Sequence, residues 1–288
     1  MTTKSPTNHH YVSQCHLKEF FDSDSKRIYL YDKIEKNYYN RQGIKRIFSL
    51  DNLNNRVIGD VVDRISMEME LRFMFEENFT KHLAFIKKLL VDLSVVEEAY
   101  EHLNFIALMA LVGEYRNPNY KEGLDIALKS LATEVKIRGV NIPDEYPLPD
   151  IPYRNIKGYL HVGNLLLTEM DPINFSIVVI ESNDHFILPD TSGFLVREFL
   201  EYGKVTQFGI PVSSKIFILG KSAKIKAPPS RIITIQDDDD ELVFKINTDL
   251  VNFAYKTVAC QNKAYLENTV AKMMRIRFLG QHFHGYSL

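Results

Sequence analysis

The run Asn8-His9-His10-Tyr11-Val12-Ser13-Gln14-Cys15-His16 places three imidazoles, a thiol, two amides and two hydroxyls within nine residues. Neutral imidazole ligates metals and moves protons near neutral pH, so acid–base catalysis or ligation is the chemistry such a cluster can perform. Side chains alternate across a strand, so only one of His9 and His10 faces a given site if the run is extended. The plainer reading is a satisfied structural histidine at the start of the fold.

Four further positions carry usable chemistry. Asp190, in His185-Phe-Ile-Leu-Pro-Asp190-Thr-Ser-Gly193, ends an apolar run ahead of turn residues. Its carboxylate can hold a hard cation or act as a base, or it can simply form an Asx turn. Arg116, in Glu114-Tyr-Arg-Asn-Pro118, falls at an expected helix C-terminus. There it complements the helix dipole, or holds phosphate or carboxylate through its two-pronged guanidinium. Glu68 and Glu70 are two apart on an expected helix and point to different faces, so at most one serves a shared metal site.

Other features are weaker. Asp237 to Glu241 (DDDDE) lacks the spacing of a calcium-binding loop and reads as a solvated hairpin tip. Lys221, Lys224, Lys226 and Arg231 form a basic loop ahead of it. From position 245 onward there are six basic and two acidic residues, and Lys272, Arg275 and Arg277 make a basic helix that either tracks a phosphate backbone or is merely solvated. His282 and His284 share one face of an extended segment, a spacing that suits a metal. The phosphate-binding glycine loops and the common hydrolase and kinase signatures are absent.

The elements that must position these residues follow from periodicity. Positions 27–32 and 37–41 are rich in tyrosine and β-branched residues and predict a hairpin closed by a four-residue loop. From 58 to 117 the apolar period becomes helical, with Ile58, Val61, Val62, Ile65, Met69 and Phe73 on one face. Ser94 and Glu97 form a capping box for a helix that ends near Arg116, closed by Pro118. A helix is predicted over 121–135, a proline-rich connector over 140–153 and another helix over 159–169. Strands are predicted at 176–181, 185–188, 209–212, 215–219, 231–236 and 242–246, and Thr248 caps a closing helix that runs toward Arg277.

The fold class is therefore α+β: an N-terminal β-hairpin, a central antiparallel helical bundle, and a C-terminal, mostly antiparallel sheet with a closing helix. No internal repeat is read. Residues 1–139 form a hairpin and helical region and 154–288 an α+β region, joined by the connector; the two are separate or one integrated domain.

The chain has 288 residues, 45% of them hydrophobic and 25% charged, which is the balance of a globular protein rather than a disordered or fibrous one. Net charge is -2, so a global basic footprint for nucleic acid is missing, although a local basic groove is compatible with it. Two cysteines far apart, Cys15 and Cys260, form no disulfide framework. The polar first ten residues lack a signal-peptide core, and the longest apolar run, 105–112, is far short of the roughly 20 residues of a membrane span. The expectation is a soluble, cytoplasmic protein with no membrane partner.

The opening NHHYVSQCHLKEFFDSDSKRIYLYDK resembles the signature of the domain-of-unknown-function family 4238, whose members open HHYVPQxYLRxFxD before a strand ending in VYDK. FIALMALVGEYRNPNY is similar to that family's helical FxALQxxRxP block. HFILPDTSG and FGIPVSSKIFIL are similar to its FxTSDNPV and PLSP strands, and DLVNFAYKTVACQNKAYL to its closing helix. The resemblance implies an uncharacterised bacterial relative and marks His9 or His10, Tyr11, Gln14, Arg116 and Asp190 as matched positions. Ser13 and Ser214 stand where the family has proline, and Pro189-Asp190-Thr191-Ser192 stands for Ser-Asp-Asn-Pro.

Matched polar residues from distant parts of the chain point to convergence on one site. The first functional expectation is a phosphodiester hydrolase, a divalent-metal-dependent nuclease acting in a bacterial toxin or phage-defence setting on RNA or DNA. Asp190 would hold Mg²⁺ or Mn²⁺ with Glu68 or Glu70. His9 or His10 would move protons, with Gln14 beside them, and Arg116 would stabilise phosphate charge. The alternatives are a non-catalytic module that binds a protein partner or a second copy of itself, and a sensor of a nucleotide or small anion.

Overall fold

The computed structural model describes residues 8–58, 61–91, 99–138, 159–198, 204–225 and 230–278. The predicted connector over 140–153, the capping box at Ser94 and Glu97, and His282 and His284 lie outside them. The chain opens with β1 (Asn8–His10) and a short helix, α1 (Gln14–Lys18). The predicted hairpin follows as β2 (Ile28–Asp32) and β3 (Asn37–Arg41), in the register Asp32↔Asn37. Lys36 takes a left-handed φ of 52° in the turn between them.

Then come β4 (Ser49–Asp51), which pairs with β1, and a small hairpin of β5 (Arg56–Ile58) and β6 (Val61–Asp63). This last hairpin corrects the helical reading of 58–62, where the β-branched pairs Val57-Ile58 and Val61-Val62 favour extended backbone. Helix begins only at α2 (Ser66–Leu71), passes through one π-helical turn at Arg72–Glu76, and continues as α3 (Glu77–Leu89). The predicted apolar face is inverted as well. Ile65, Met69 and Phe73 are exposed, whereas Met67, Leu71, Phe75, Phe79, Leu83 and Ile86 are buried. Two apolar stripes compete in this stretch, and the longer one faces the core.

α4 (Tyr100–Arg116) ends where expected: Asn117 is extended, and Pro118 starts α5 (Pro118–Ile137). Proline tolerates the first helical position because its missing N–H has no partner to lose there. α6 (Tyr159–Met170) then leads into a five-stranded sheet. Its strands are β7 (Ile173–Ile180), β9 (Phe194–Arg197), β10 (Val205–Ser213), β11 (Ile216–Ser222) and β12 (Arg231–Ile235), in the order β12-β7-β11-β10-β9. Only the β12–β7 pair is parallel.

A further correction falls at 242–246. These residues belong to a helix, α7 (Glu241–Phe253), because the Asp240 side chain accepts N–H bonds from Leu242 and Val243 and caps it. The acidic run is thus a helix start rather than a hairpin tip. Thr248 lies inside α7; β13 (Thr257–Cys260) and α8 (Lys263–Phe278) follow it. The 185–188 strand reduces to β8 (Leu188–Pro189), which pairs with β13.

β13 also pairs with β2, giving a second sheet in the order β3-β2-β13-β8 that joins the first and last parts of the chain by backbone hydrogen bonds. The five-stranded sheet is covered on both faces. Phe175, Ile177, Phe208 and Ile210 pack with α3 and α4, while Val178, Phe217 and Leu219 pack with α1, β2 and α7. Every residue of β10 is buried accordingly, including the polar Thr206, Gln207 and Ser213. Among the described residues no helix is long and apolar enough to cross a membrane.

Candidate functional site

The corner between α4 and α5 organises the site. Pro118 forces Asn117 out of helical geometry, so Arg116 and Asn117 leave the corner in different directions. The Arg116 Nη2 donates to the carbonyl oxygen of His10 at 2.7 Å, and the Asn117 Nδ2 donates to the carbonyl oxygen of Asp190 at 2.8 Å. Three positions marked in the sequence, His10, Arg116 and Asp190, are therefore tied to one corner.

β1 turns its two histidines to different tasks, as strand alternation requires. The His9 Nδ1 accepts the backbone N–H of Asn54 at 2.8 Å, so that nitrogen carries no proton. His10 is 4% exposed, and the backbone at Ile44 and Lys45 hydrogen-bonds its ring. Its Nε2 has no hydrogen-bond partner among the described residues. Burial holds the His10 pKa below its ordinary value; the charge of Glu68 opposes that shift and the charge of Arg116 reinforces it.

The carboxylates nearby are Glu68 and Glu76. Glu68 Oε2 accepts from Asn54 Nδ2 at 2.8 Å, and Asn54 Oδ1 accepts from the buried ammonium of Lys121 at 3.3 Å. Glu76 accepts the backbone N–H of Gln14 at the start of α1. Burial raises its pKa, while the charge of Arg116 pulls it back down. Glu76 closes the π-helical turn, which rotates the helix between Glu68 and α3. Such single π turns recur at functional sites because they re-aim side chains. The Arg116 guanidinium lies over the ring of Phe75, 5.9 Å from its centroid, and its Nε is buried without a partner among the described residues.

Asp190 has another task. Its Oδ1 accepts the N–H of Tyr255, and its Oδ2 accepts those of Lys256 and Thr257, all within 2.8 to 2.9 Å. It is 1% exposed. Three of a carboxylate's roughly four acceptor directions are engaged, so the side chain clamps the α7–β13 loop and has no open face for a cation. Burial raises its pKa, and the three amides lower it again. The Asx-turn reading is replaced too: the turn is made by Ser192, with a left-handed φ of 65°, whose N–H donates to Pro189.

Asp190, Glu68 and Glu70 do not form a ligand set. Among the described residues, no three His, Cys, Asp or Glu side chains gather closely enough to hold a metal ion. Gln14 contributes its backbone N–H to the site. Tyr11 is stacked obliquely on Phe48, and the charge of Asp190 raises its pKa after burial does. Three of the basic residues from position 245 onward have partners of their own: Lys245 pairs with Glu241, Lys263 with Glu267, and Lys272 sits over the ring of Phe244.

Sequence reasoning missed Glu76, Lys121, Asn54 and Asn117. Lys121 and Glu76 look like solvated helix residues, and only tertiary packing buries them. The Asn117-Pro118 pair was the one local signal, since it fixes where the corner falls.

Beside β1, a surface groove of about 570 Å³ is lined by Asn8, Lys45, Arg46, Ser49, Leu50 and Asp51. Its two cations border the strand that carries His10.

Together these features define an α+β protein whose buried ionisable hub is built around the first strand and one helix corner. The chain belongs to the protein-of-unknown-function family DUF4238, whose model matches residues 8–264 and so takes in the whole hub. No curated protein and no solved structure matches the chain.

Proposed function

We propose that the chain is a phosphodiester hydrolase of the nuclease type, acting through His10. The observation that carries this reading is the His10 ring: it is buried, its Nε2 has no hydrogen-bond partner among the described residues, and Arg116 holds the carbonyl of the same residue. A base prepared in this way takes a proton from an attacking hydroxyl. Arg116 offsets the charge that develops on the phosphate oxygens. We assign to Glu76, which burial shifts toward the neutral carboxyl against the pull of Arg116, the return of a proton to the leaving oxygen as the phosphorus–oxygen bond breaks. Lys45 and Arg46 give the adjacent groove a local positive character for a polyanion. The expected Mg²⁺ or Mn²⁺ is not assigned to Asp190, because its oxygens hold three amides, and no step is routed through a metal.

The test is cleavage of labelled RNA, single-stranded DNA and duplex DNA by the purified chain, with Mg²⁺, Mn²⁺ or EDTA. Activity that His10→Ala and Arg116→Met abolish, with folding retained by circular dichroism, supports the reading. Tight binding without cleavage favours the anion-sensor alternative. No binding and no cleavage overturns both.

A second reading, a module that binds a partner or a second copy, is favoured by one observation. Val62, Ile65, Met69 and Phe73 form an exposed apolar patch at 44 to 71% exposure. Met69→Glu and Phe73→Glu should then dissociate any homo-oligomer seen by sedimentation, with the hub untouched.

A further inference from the structure

Away from the hub, α3 and α4 carry the same five-residue pattern, His82-Leu83-Ala84-Phe85-Ile86 and His102-Leu103-Asn104-Phe105-Ile106. The leucines and isoleucines are buried in the core between the helices. The rings are exchanged across the interface. His82 of α3 stacks on Phe105 of α4, with centroids 3.9 Å apart and planes within 7°. His102 of α4 stacks on Phe85 of α3 at 3.8 Å and 9°. This reciprocal arrangement fixes both imidazoles and brings their Nδ1 atoms to 2.9 Å.

We propose that His82 and His102 form a two-histidine binding site for a divalent transition-metal ion of the copper(II) or nickel(II) class, clasping α3 to α4. As a hydrogen bond the pair is asymmetric, since two near-equivalent nitrogens share one proton. A metal ion uses both lone pairs at once. Two nitrogens 2.9 Å apart, each about 2.0–2.1 Å from one ion, subtend roughly a right angle at it. That angle is the one between neighbouring ligands in tetragonal copper(II) or nickel(II), whereas tetrahedral zinc needs a wider one. His82 is 9% exposed and His102 is partly exposed, so an ion with its remaining water ligands can reach the edge of the pair.

The experiment uses the untagged full chain and copper(II) or nickel(II) alone. Calorimetry with copper(II) should show one equivalent bound, and electron paramagnetic resonance should show coupling to two nitrogens. His82→Gln and His102→Gln should each weaken binding more than about tenfold, because either one removes the chelate. His282→Ala/His284→Ala should leave this site unchanged. If the signal survives both single variants, or is lost only in the tail variant, the proposal fails. Should a variant fold poorly, NMR of the wild-type chain decides: selective broadening of the His82 and His102 imidazole signals supports the site, and broadening elsewhere overturns it.

Discussion

The Nη2 of Arg116 holds the carbonyl oxygen of His10 at 2.7 Å, while the Nε2 of that same histidine is buried with no partner among the described residues. The arginine therefore fixes the strand that carries the base and leaves a second donor, Nε, for a substrate oxygen. Arg116→Lys keeps the charge but loses the planar fork, so it cannot serve both partners. We expect Arg116→Lys and Arg116→Met each to lower kcat for phosphodiester cleavage by about 10²–10³. They should also lose about 2 kcal/mol of stability, because the His10 carbonyl is left unsatisfied. A kcat that stays within a fewfold in Arg116→Lys would remove Arg116 from the chemistry.

Asp190→Asn tests the clamp. Whichever way the amide is turned, its NH₂ meets at least one of the three N–H groups that now donate to the carboxylate. Because the group is buried, we expect a loss of about 3–5 kcal/mol, read as a lower urea midpoint with an unchanged slope. The loss comes from the α7–β13 loop, so the folded fraction should keep its cleavage rate per molecule. A variant of native stability that lacks cleavage would instead return Asp190 to the catalytic set.

His16 sets an acid limit. It is fully buried, its Nε2 hydrogen-bonds the Pro211 carbonyl, and burial holds its pKa down at about 4, against an ordinary 6.5. The unfolded chain takes up a proton near pH 6.5 and the folded chain only near 4. Stability is therefore fully present above pH 6.5 and is lost as pH falls through that window, by up to about 3 kcal/mol. His185, also lowered to about 4 by burial and by Lys215, adds a slope of the same sign. His16→Gln should flatten the decline between pH 6.5 and 4.5 in a denaturation series; an unchanged slope would place the proton uptake elsewhere.

Much of this architecture was legible in the residues. The β2–β3 hairpin followed from its tyrosines and turn, and the end of α4 from Asn117-Pro118. The pairing of β13 with β2 was not readable, because no local pattern reports a partner more than two hundred residues away. The phase of α2 was misread because Ile65, Met69 and Phe73 make a convincing stripe, and the π turn shifts the true one. Leu242 to Ile246 looked like a strand because its β-branched residues outweighed an N-cap that only Asp240 supplies. For the site, His10, Arg116 and Asp190 could be named, but not the difference in their tasks. That difference depends on which carbonyls and amides surround each group, and so on tertiary packing.

Gly113 tests whether the corner must sit where it does. A Cβ at this position of α4 would lie 2.4 Å from the backbone oxygen of Thr191 and 3.0 Å from the Cβ of Ser192. In an exposed helix Gly→Ala gains about 1 kcal/mol. Here the obstacle is backbone of the Asp190 turn, which cannot swing away, so overpacking wins and a net loss of about 1–3 kcal/mol is expected. Gly113 lies one helical turn before Asn117, so pushing α4 off the turn also stretches the Asn117–Asp190 bond and shifts Arg116 relative to His10. Cleavage should fall along with stability. Gly123→Ala in α5 is the control: nothing lies within 4 Å of its added Cβ, and thermal denaturation should show a gain of about 0.5–1 kcal/mol. Equal behaviour of the two alanine variants would mean that α4 does not need its close contact with the Asp190 turn.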